Sequence, residues 1–234
     1  SQTTGPEQKK FGRNAKIIAV DINKEKFKKK NIKIDKLNLS DLKLFIYDLL
    51  QKALDKNFNE WLNTTLKWKR LFIKFNPKIK YKNKICLYKF SDTLSKLMKN
   101  KSVFICDSGF VDVIMPTNVS FKNNQICIHP ASQGVMGFAI PAILGVKTNI
   151  INNRDIIAVV GDGSLMMNLQ ELQTIKYQRT NVKIFVINNN MYGIIRRRQN
   201  HLFRGRTVGT DQTNGVPNIN IKKIANCFGF QYFK

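Results

Sequence analysis

Two apolar runs constrain this chain more than any other feature. Residues 156–160 (IIAVV) end at Gly161-Asp162-Gly163-Ser164, and residues 182–187 (VKIFVI) end at Asn188-Asn189. Between them lies an amphipathic, helix-length stretch. Short runs rich in Val and Ile suit strands covered on both faces. Two parallel strands need a crossover, most often a helix, and its hand is fixed. A strand–helix–strand unit therefore sets Asp162 and Asn189 side by side at the carboxyl ends of neighbouring strands, where open α/β sheets bind ligands. A carboxylate oxygen beside an amide oxygen suits a hard divalent cation. The glycines and the helix start beside them suit a diphosphate. A Gly-Asp-Gly turn alone is common; the paired Asn at this spacing gives the pattern its weight. The competing reading is an ordinary turn followed by an Asn-rich loop.

The rest of the chain repeats the α/β alternation. Residues 15–22 (AKIIAVDI) read as a buried strand ending in an acid. Ser40 is placed to cap a helix in which Leu42, Phe45, Ile46, Leu49, Leu50 and Ala53 share a face. Residues 57–75 form a basic, Trp-containing helical stretch, and the polar, basic residues 78–84 read as a linker. A second unit then begins. Ser91 is placed to cap a helix running to Lys99, residues 103–106 and 125–128 are short strands, and residues 135–146 a helix. After the Asp162 unit come an arginine-rich helix start, a glycine-punctuated loop over 204–217, a helix over 219–227 and a strand from Phe230. The division expected is residues 1–75 and 76–234. The missing initiator Met and the abrupt start and stop read as a piece of a longer polypeptide.

Bulk composition excludes some functions. No apolar run reaches the ~18–20 residues that span a bilayer, and residues 1–14 have no apolar signal core. No membrane is expected as a partner. Lys and Arg outnumber Asp and Glu 40 to 15, for a formal charge of +25. Nucleic-acid binding is one reading of that excess. Against it, the lysines are spread through the first hundred residues among Asn and Ile, without a compact arm or interleaved aromatics; attraction of anionic ligands is the milder consequence. The four cysteines (Cys86, Cys106, Cys127, Cys227) include no CxxC pair and read as buried free thiols in a reducing cytoplasm.

The Gly161-Asp162-Gly163-Ser164 turn with Asn188-Asn189 resembles the cofactor signature of thiamine diphosphate-dependent enzymes. Residues 134–147 (GVMGFAIPAILGVK) resemble the segment of those enzymes that holds the thiamine rings. Residues 14–27 (NAKIIAVDINKEKF), 104–147, 156–199 and 209–230 follow the acetolactate synthase-like branch in order. The resemblance implies a thiamine diphosphate-binding fold: α/β, a mostly parallel sheet with helices on both faces, preceded by the tail of a Rossmann-like central domain. It implies thiamine diphosphate and Mg2+ as cofactors. Asp162, the Asn189 amide oxygen and the Met191 carbonyl would ligate the metal. Gly163 and Ser164 would offer N–H groups, and Ser164 its hydroxyl, to the diphosphate, with Gly161 allowing close approach. The Gly134 carbonyl would take a hydrogen bond from the 4′-amino group. Met136 would wedge between the two rings and hold the cofactor bent, a role suited to an adaptable apolar side chain. Packing a helix is the plainer use of Met136.

The implied activity is that of a carboligase or lyase. A 2-keto acid, pyruvate first, loses carbon dioxide, and the remainder is joined to a second carbonyl or protonated; the cofactor carries the chemistry. The implied assembly is a homodimer or homotetramer, or a pairing with a separate subunit carrying the pyrimidine-binding domain. The chain departs from the pattern in four places. Ser108-Gly109-Phe110-Val111 stands where a glycine followed by Gln-His contacts diphosphate. Pro130-Ala131-Ser132-Gln133 replaces two glycines and a leucine, Met191 replaces a glycine, and Arg198 replaces the tryptophan that helps choose the second keto acid. A related enzyme of surface-sugar biosynthesis therefore stands beside acetolactate synthesis as a reading. The activating glutamate of the family finds no match among Glu7, Glu25, Glu60 and Glu171, so a cofactor-binding module without that group is a further alternative.

Other residues carry weaker expectations. His129 either faces the site or serves a loop, and His201 lies in a basic loop. Arg196, Arg197 and Arg198 offer a fork for a carboxylate, at least two of them reading as exposed helix charge. Asp21 ends a strand where FAD or a nucleotide ribose can be held, but no glycine-rich phosphate turn precedes it. Asp107 either lies near the cofactor or simply ends its strand.

Overall fold

The computed structural model describes residues 7–27, 32–52, 57–71, 84–130, 133–149 and 154–234. The expected linker, Ala53, residues 72–75, and Ala131 and Ser132 fall wholly or largely outside these. The chain forms two compact units, one ending at Leu71 and the other at Lys234.

In the first unit, β1 (Ile18–Asp21) pairs in parallel with β2 (Lys36–Leu39), Ile18 opposite Lys36. Two helices follow, α1 (Leu42–Gln51) and α2 (Asn59–Leu71). Asp41, not Ser40, caps α1: its carboxylate accepts the Lys43 N–H at 2.8 Å, while the Ser40 hydroxyl donates to the Asp41 carbonyl. Of the expected apolar face, Phe45 is half-buried and Leu42, Ile46, Leu49 and Leu50 stay largely exposed. On α2, Trp61 and Trp68 stack edge to face at 5.4 Å.

The second unit is a four-stranded, all-parallel sheet. Its strands are β3 (Val103–Cys106), β4 (Ile126–Ile128), β5 (Ile156–Gly161) and β6 (Val182–Ile187), in spatial order β4-β3-β5-β6. Around it run α3 (Leu87–Leu97), α4 (Phe110–Asn118), α5 (Ala139–Asn149), α6 (Asp162–Leu165), α7 (Glu171–Tyr177), α8 (Gly193–Leu202) and α9 (Ile221–Cys227). Successive strand residues point to opposite faces. Val103, Ile105, Ala158 and Val160 pack under Ile140, Ile143 and Val146 of α5 and Leu172 and Ile175 of α7. Phe104, Cys106, Ile157 and Val159 pack under Leu94 of α3 and Val111 and Met115 of α4. Helices thus cover both faces, which is why the strands are nearly continuous in apolar residues.

Several expected element bounds shift, each for a local reason. Ser91 does not cap α3; it lies buried inside that helix, its hydroxyl turned back onto the Leu87 carbonyl at 2.8 Å. The helix expected at 135–146 starts at Ala139, because Gly134 and Gly137 hold left-handed φ of +61° and +81°. The stretch after Asp162 is not one helix but α6, a 3-10 turn over Met166–Asn168, and α7. No strand forms from Phe230; its N–H closes onto the Ala225 carbonyl at 2.8 Å and its ring joins the α5 side of the core. α4 has no counterpart in the sequence reading; it carries Pro116 in its last turn, where the helix tolerates it at the cost of little more than its own ending.

The cysteines are not uniformly buried. Cys106 is buried, Cys86 and Cys127 are half-buried, and Cys227 is exposed at the end of α9. Burial, with Asp112 nearby, pushes the Cys127 thiol up to about 11 and the Cys106 thiol further in the same direction.

Candidate functional site

The carboxyl ends of β5 and β6 lie together, Gly161 opposite Ile187 in a parallel ladder. β5 runs straight into Asp162, and β6 releases the chain two residues before Asn189. Asp162 is buried, with 5% of its surface exposed. Its Oδ1 accepts the Gly163 N–H at 3.0 Å and its Oδ2 accepts the Asn190 N–H at 2.7 Å. The carboxylate therefore reaches directly across to the Asn189–Asn190 backbone. Burial raises its carboxyl above the ordinary 3.8, partly offset by those N–H donors.

Asn190 holds a left-handed φ of +53°, which reverses the loop after β6. Asn189 Oδ1 accepts the Met191 N–H at 3.2 Å and keeps a second lone pair. The Met191 carbonyl accepts no hydrogen bond among the described residues. One buried carboxylate, one amide oxygen and one unpartnered carbonyl fit the all-oxygen donor set that magnesium takes, with water and phosphate oxygens completing it. Among the described residues, no three His, Cys, Asp or Glu side chains gather to hold a metal. A metal held by Asp162 would therefore draw its further protein ligands from amide and carbonyl oxygens.

Gly163 is buried under a ring: a Cβ there would run into Cε1 of Tyr192 and come within 2.9 Å of Cδ1. Its N–H is engaged by Asp162. Ser164 is 5% exposed and its hydroxyl has no protein partner among the described residues. Gly161 is half-buried, with no heavy atom within 4 Å of a Cβ placed on it.

The segment holding Gly134 and Met136 is a loop between β4 and α5, closed at its start by the Gly134 N–H onto the Pro130 carbonyl at 2.7 Å. Gly134 is exposed with open space around it, and Met136 is half-buried. Sequence reasoning missed what holds this loop. Asp107, fully buried at the end of β3, accepts from the Gly137 N–H at 3.0 Å, the Ala139 N–H at 2.7 Å and its neighbour Ser108 at 2.9 Å. Asn168 Nδ2 donates to the Gly137 carbonyl at 2.8 Å. A Cβ on Gly137 would sit 2.6 Å from Met167 Cβ. Asp107 thus does more than end its strand. The only signal for this in the sequence is an acid at a strand end, which does not name its partner thirty residues on.

Other residues resolve as follows. His129 Nδ1 lies 2.7 Å from Asp112 Oδ1, between the end of β4 and the first turn of α4. His201 is on α8, not in a loop, and is exposed. Arg196 pairs with Asp211, whereas Arg197 and Arg198 are exposed. Asp21 accepts the Asn23 N–H at 2.9 Å and pairs with Lys26 at 3.1 Å, which holds its carboxyl below the usual range.

Residues 107–234 match the family described as "Thiamine pyrophosphate enzyme, C-terminal TPP binding domain". The acetolactate synthase large subunit of Buchnera aphidicola subsp. Schizaphis graminum is 31% identical over 203 residues, 85% of this chain and 35% of that protein. The large subunit of Cyanidium caldarium is 30% identical over 232 residues, 94% of this chain and 38% of that protein. The chain thus spans little more than a third of the length of these relatives. A thiamine diphosphate-dependent 4-hydroxybenzoylformate decarboxylase of Rhodococcus jostii RHA1 shares the fold, with a TM-score of 0.67 at 18% identity over 92% of this chain and 38% of that one. Among the described residues, no helix is long and apolar enough to cross a membrane.

Proposed function

From the premise that this chain belongs to the thiamine pyrophosphate enzymes, through their C-terminal TPP-binding domain and in an acetolactate synthase-like form, we propose that it holds thiamine diphosphate and Mg2+ at the β5–β6 end of its sheet. The observation that carries this reading is the buried Asp162 carboxylate facing the Asn189–Asn190 backbone, beside the unpartnered Met191 carbonyl. Asp162, Asn189 and Met191 would hold the metal. Ser164 would meet the diphosphate, with Gly161 leaving room for it, whereas the expected Gly163 donor is held by Asp162 beneath the Tyr192 ring. The loop carrying Gly134 and Met136, pinned by Asp107, would receive the two rings. Bound there, the cofactor supplies decarboxylation of a 2-keto acid and transfer or protonation of what remains. The residues of this chain would bind and orient it.

The test is binding of thiamine diphosphate to the purified chain with and without magnesium, followed by protein fluorescence or calorimetry. Binding should depend on the metal and be lost in Asp162→Ala. Binding that survives the substitution overturns the ligand assignment.

The substrate we propose is pyruvate or another 2-keto acid, since the similar proteins are acetolactate synthase large subunits. Among this chain's glutamates, only Glu171 lies in the unit that holds the site, where it begins α7. The activating carboxylate would then come from another polypeptide segment, in a homo-oligomer or from a separate subunit. Pyruvate consumption by the isolated chain at saturating cofactor and magnesium would contradict that division of labour.

A further inference from the structure

The loop between α8 and α9 is tied to the Met191 turn more tightly than its surface position requires. Met191 and Asp211 form an antiparallel bridge, and the Tyr192 N–H donates to the Thr210 carbonyl at 2.8 Å. Thr210 is fully buried. Two side chains of α8 grip the same loop. Arg196 forms an ion pair with Asp211 Oδ2. Gln199 makes a two-way amide contact with Val208, donating to its carbonyl at 3.1 Å and accepting its N–H at 2.9 Å. They stand three positions apart, on one helix face.

The loop is also braced from within. Asn214 Oδ1 accepts from the Thr210 N–H at 2.6 Å and the Asp211 N–H at 2.9 Å, and its Nδ2 donates to the Thr207 hydroxyl at 3.0 Å. Asp211 Oδ1 accepts from the Thr213 N–H at 3.0 Å and hydroxyl at 2.7 Å. The Asp211 carboxylate is thus shared between its own turn and the helix that leaves the metal loop. With the Tyr192 amide held by Thr210 and the Met191 amide held by Asn189, the Met191 carbonyl is the group left over, in a turn whose backbone cannot rotate away freely.

We propose that Asp211 and Arg196 are positioning residues for the divalent cation: their ion pair, through the backbone bridge at Met191, fixes the carbonyl of Met191 toward the metal position. This rests on the cofactor-site reading above. In this role neither side chain would touch the ion. Their role is that of outer-shell partners, whose removal commonly weakens metal binding 10- to 100-fold.

The experiment uses the full chain. The magnesium concentration giving half-maximal thiamine diphosphate binding is measured for wild type, Arg196→Gln, Asp211→Asn, the charge swap Arg196→Asp with Asp211→Arg, and Arg197→Gln as an exposed control. Exchange protection of the Tyr192 amide is followed by NMR without ligand. Arg196→Gln and Asp211→Asn should raise the magnesium midpoint about tenfold and speed Tyr192 exchange. The swap should recover part of both, and Arg197→Gln should change neither. If Arg196→Gln proves too unstable, Gln199→Ala loosens the same loop by the milder route and should shift the midpoint in the same direction. Variants that lose Tyr192 protection or melt earlier yet keep the wild-type midpoint overturn the proposal and leave the cofactor site standing. Absence of magnesium-dependent binding in wild type overturns both.

Discussion

Asp107 Oδ2 accepts the Ala139 amide at 2.7 Å across thirty-two residues of sequence, while its Oδ1 takes the Gly137 amide at 3.0 Å. The end of β3 thereby sets the loop that enters α5. A buried carboxylate with no cation against it among the described residues is tolerable because three backbone N–H groups stand around it, and charge-assisted bonds of this kind are the strong ones.

Asp107→Ala should leave the Gly137 and Ala139 N–H groups buried without partners. Each such group costs about 1–3 kcal/mol, so the chain should lose roughly 2–6 kcal/mol to urea denaturation at unchanged m-value. Asp107→Asn should cost less, since one oxygen remains to accept. A loss within 0.5 kcal/mol for Asp107→Ala would mean the loop finds other partners.

Gly163→Ala sets a methyl group against the Tyr192 ring. Overpacking of this kind costs about 1–3 kcal/mol. Combining it with Tyr192→Ala should return part of that loss, a coupling of at least about 0.5 kcal/mol between residues in contact. Additive behaviour in the double variant, read from thermal melts, would show that the ring simply swings aside.

The raised Asp162 carboxyl has a defined pH consequence. In the metal-free chain burial disfavours the charged form, so this group penalises the fold above its folded pKa. That penalty lifts as pH falls through the folded pKa toward the ordinary 3.8. Magnesium needs the charged form, and protons compete with it. The rise in melting temperature caused by magnesium with thiamine diphosphate should therefore fade on acidification through the raised value, at a pH above 3.8. Asp162→Asn should flatten that dependence. An identical pH curve in the substituted chain would assign the titration to another group.

Much of this site was legible in the sequence, for a physical reason. β5 is buried on both faces and β6, at the sheet edge, is half-buried with Lys183 exposed, yet both runs are apolar enough for composition to mark them, and a crossover between parallel strands leaves little freedom in where Asp162 and the Asn pair emerge. β3 and β6 match their expected bounds for the same reason. What stayed hidden depends on partners far along the chain. Nothing local to Asp107 names Gly137, and nothing in residues 204–217 announces that Asp211 meets Met191 and Arg196. A helix bound slipped where glycine φ overrode an apolar pattern, as at Gly137. Capping failed as a guide at Ser91, because a hydroxyl inside a helix can satisfy itself on the preceding turn.

The Asn168 amide joined to the Gly137 carbonyl has one more consequence. It spans from the stretch just after the Asp162 turn to the loop entering α5, so stiffening one region should be felt in the other. A fragment ligand as small as inorganic pyrophosphate, seated only at the anionic end, would then quiet the opposite wall before any aromatic ring arrived. Recognition of the tail would be the event that readies the bed for the head.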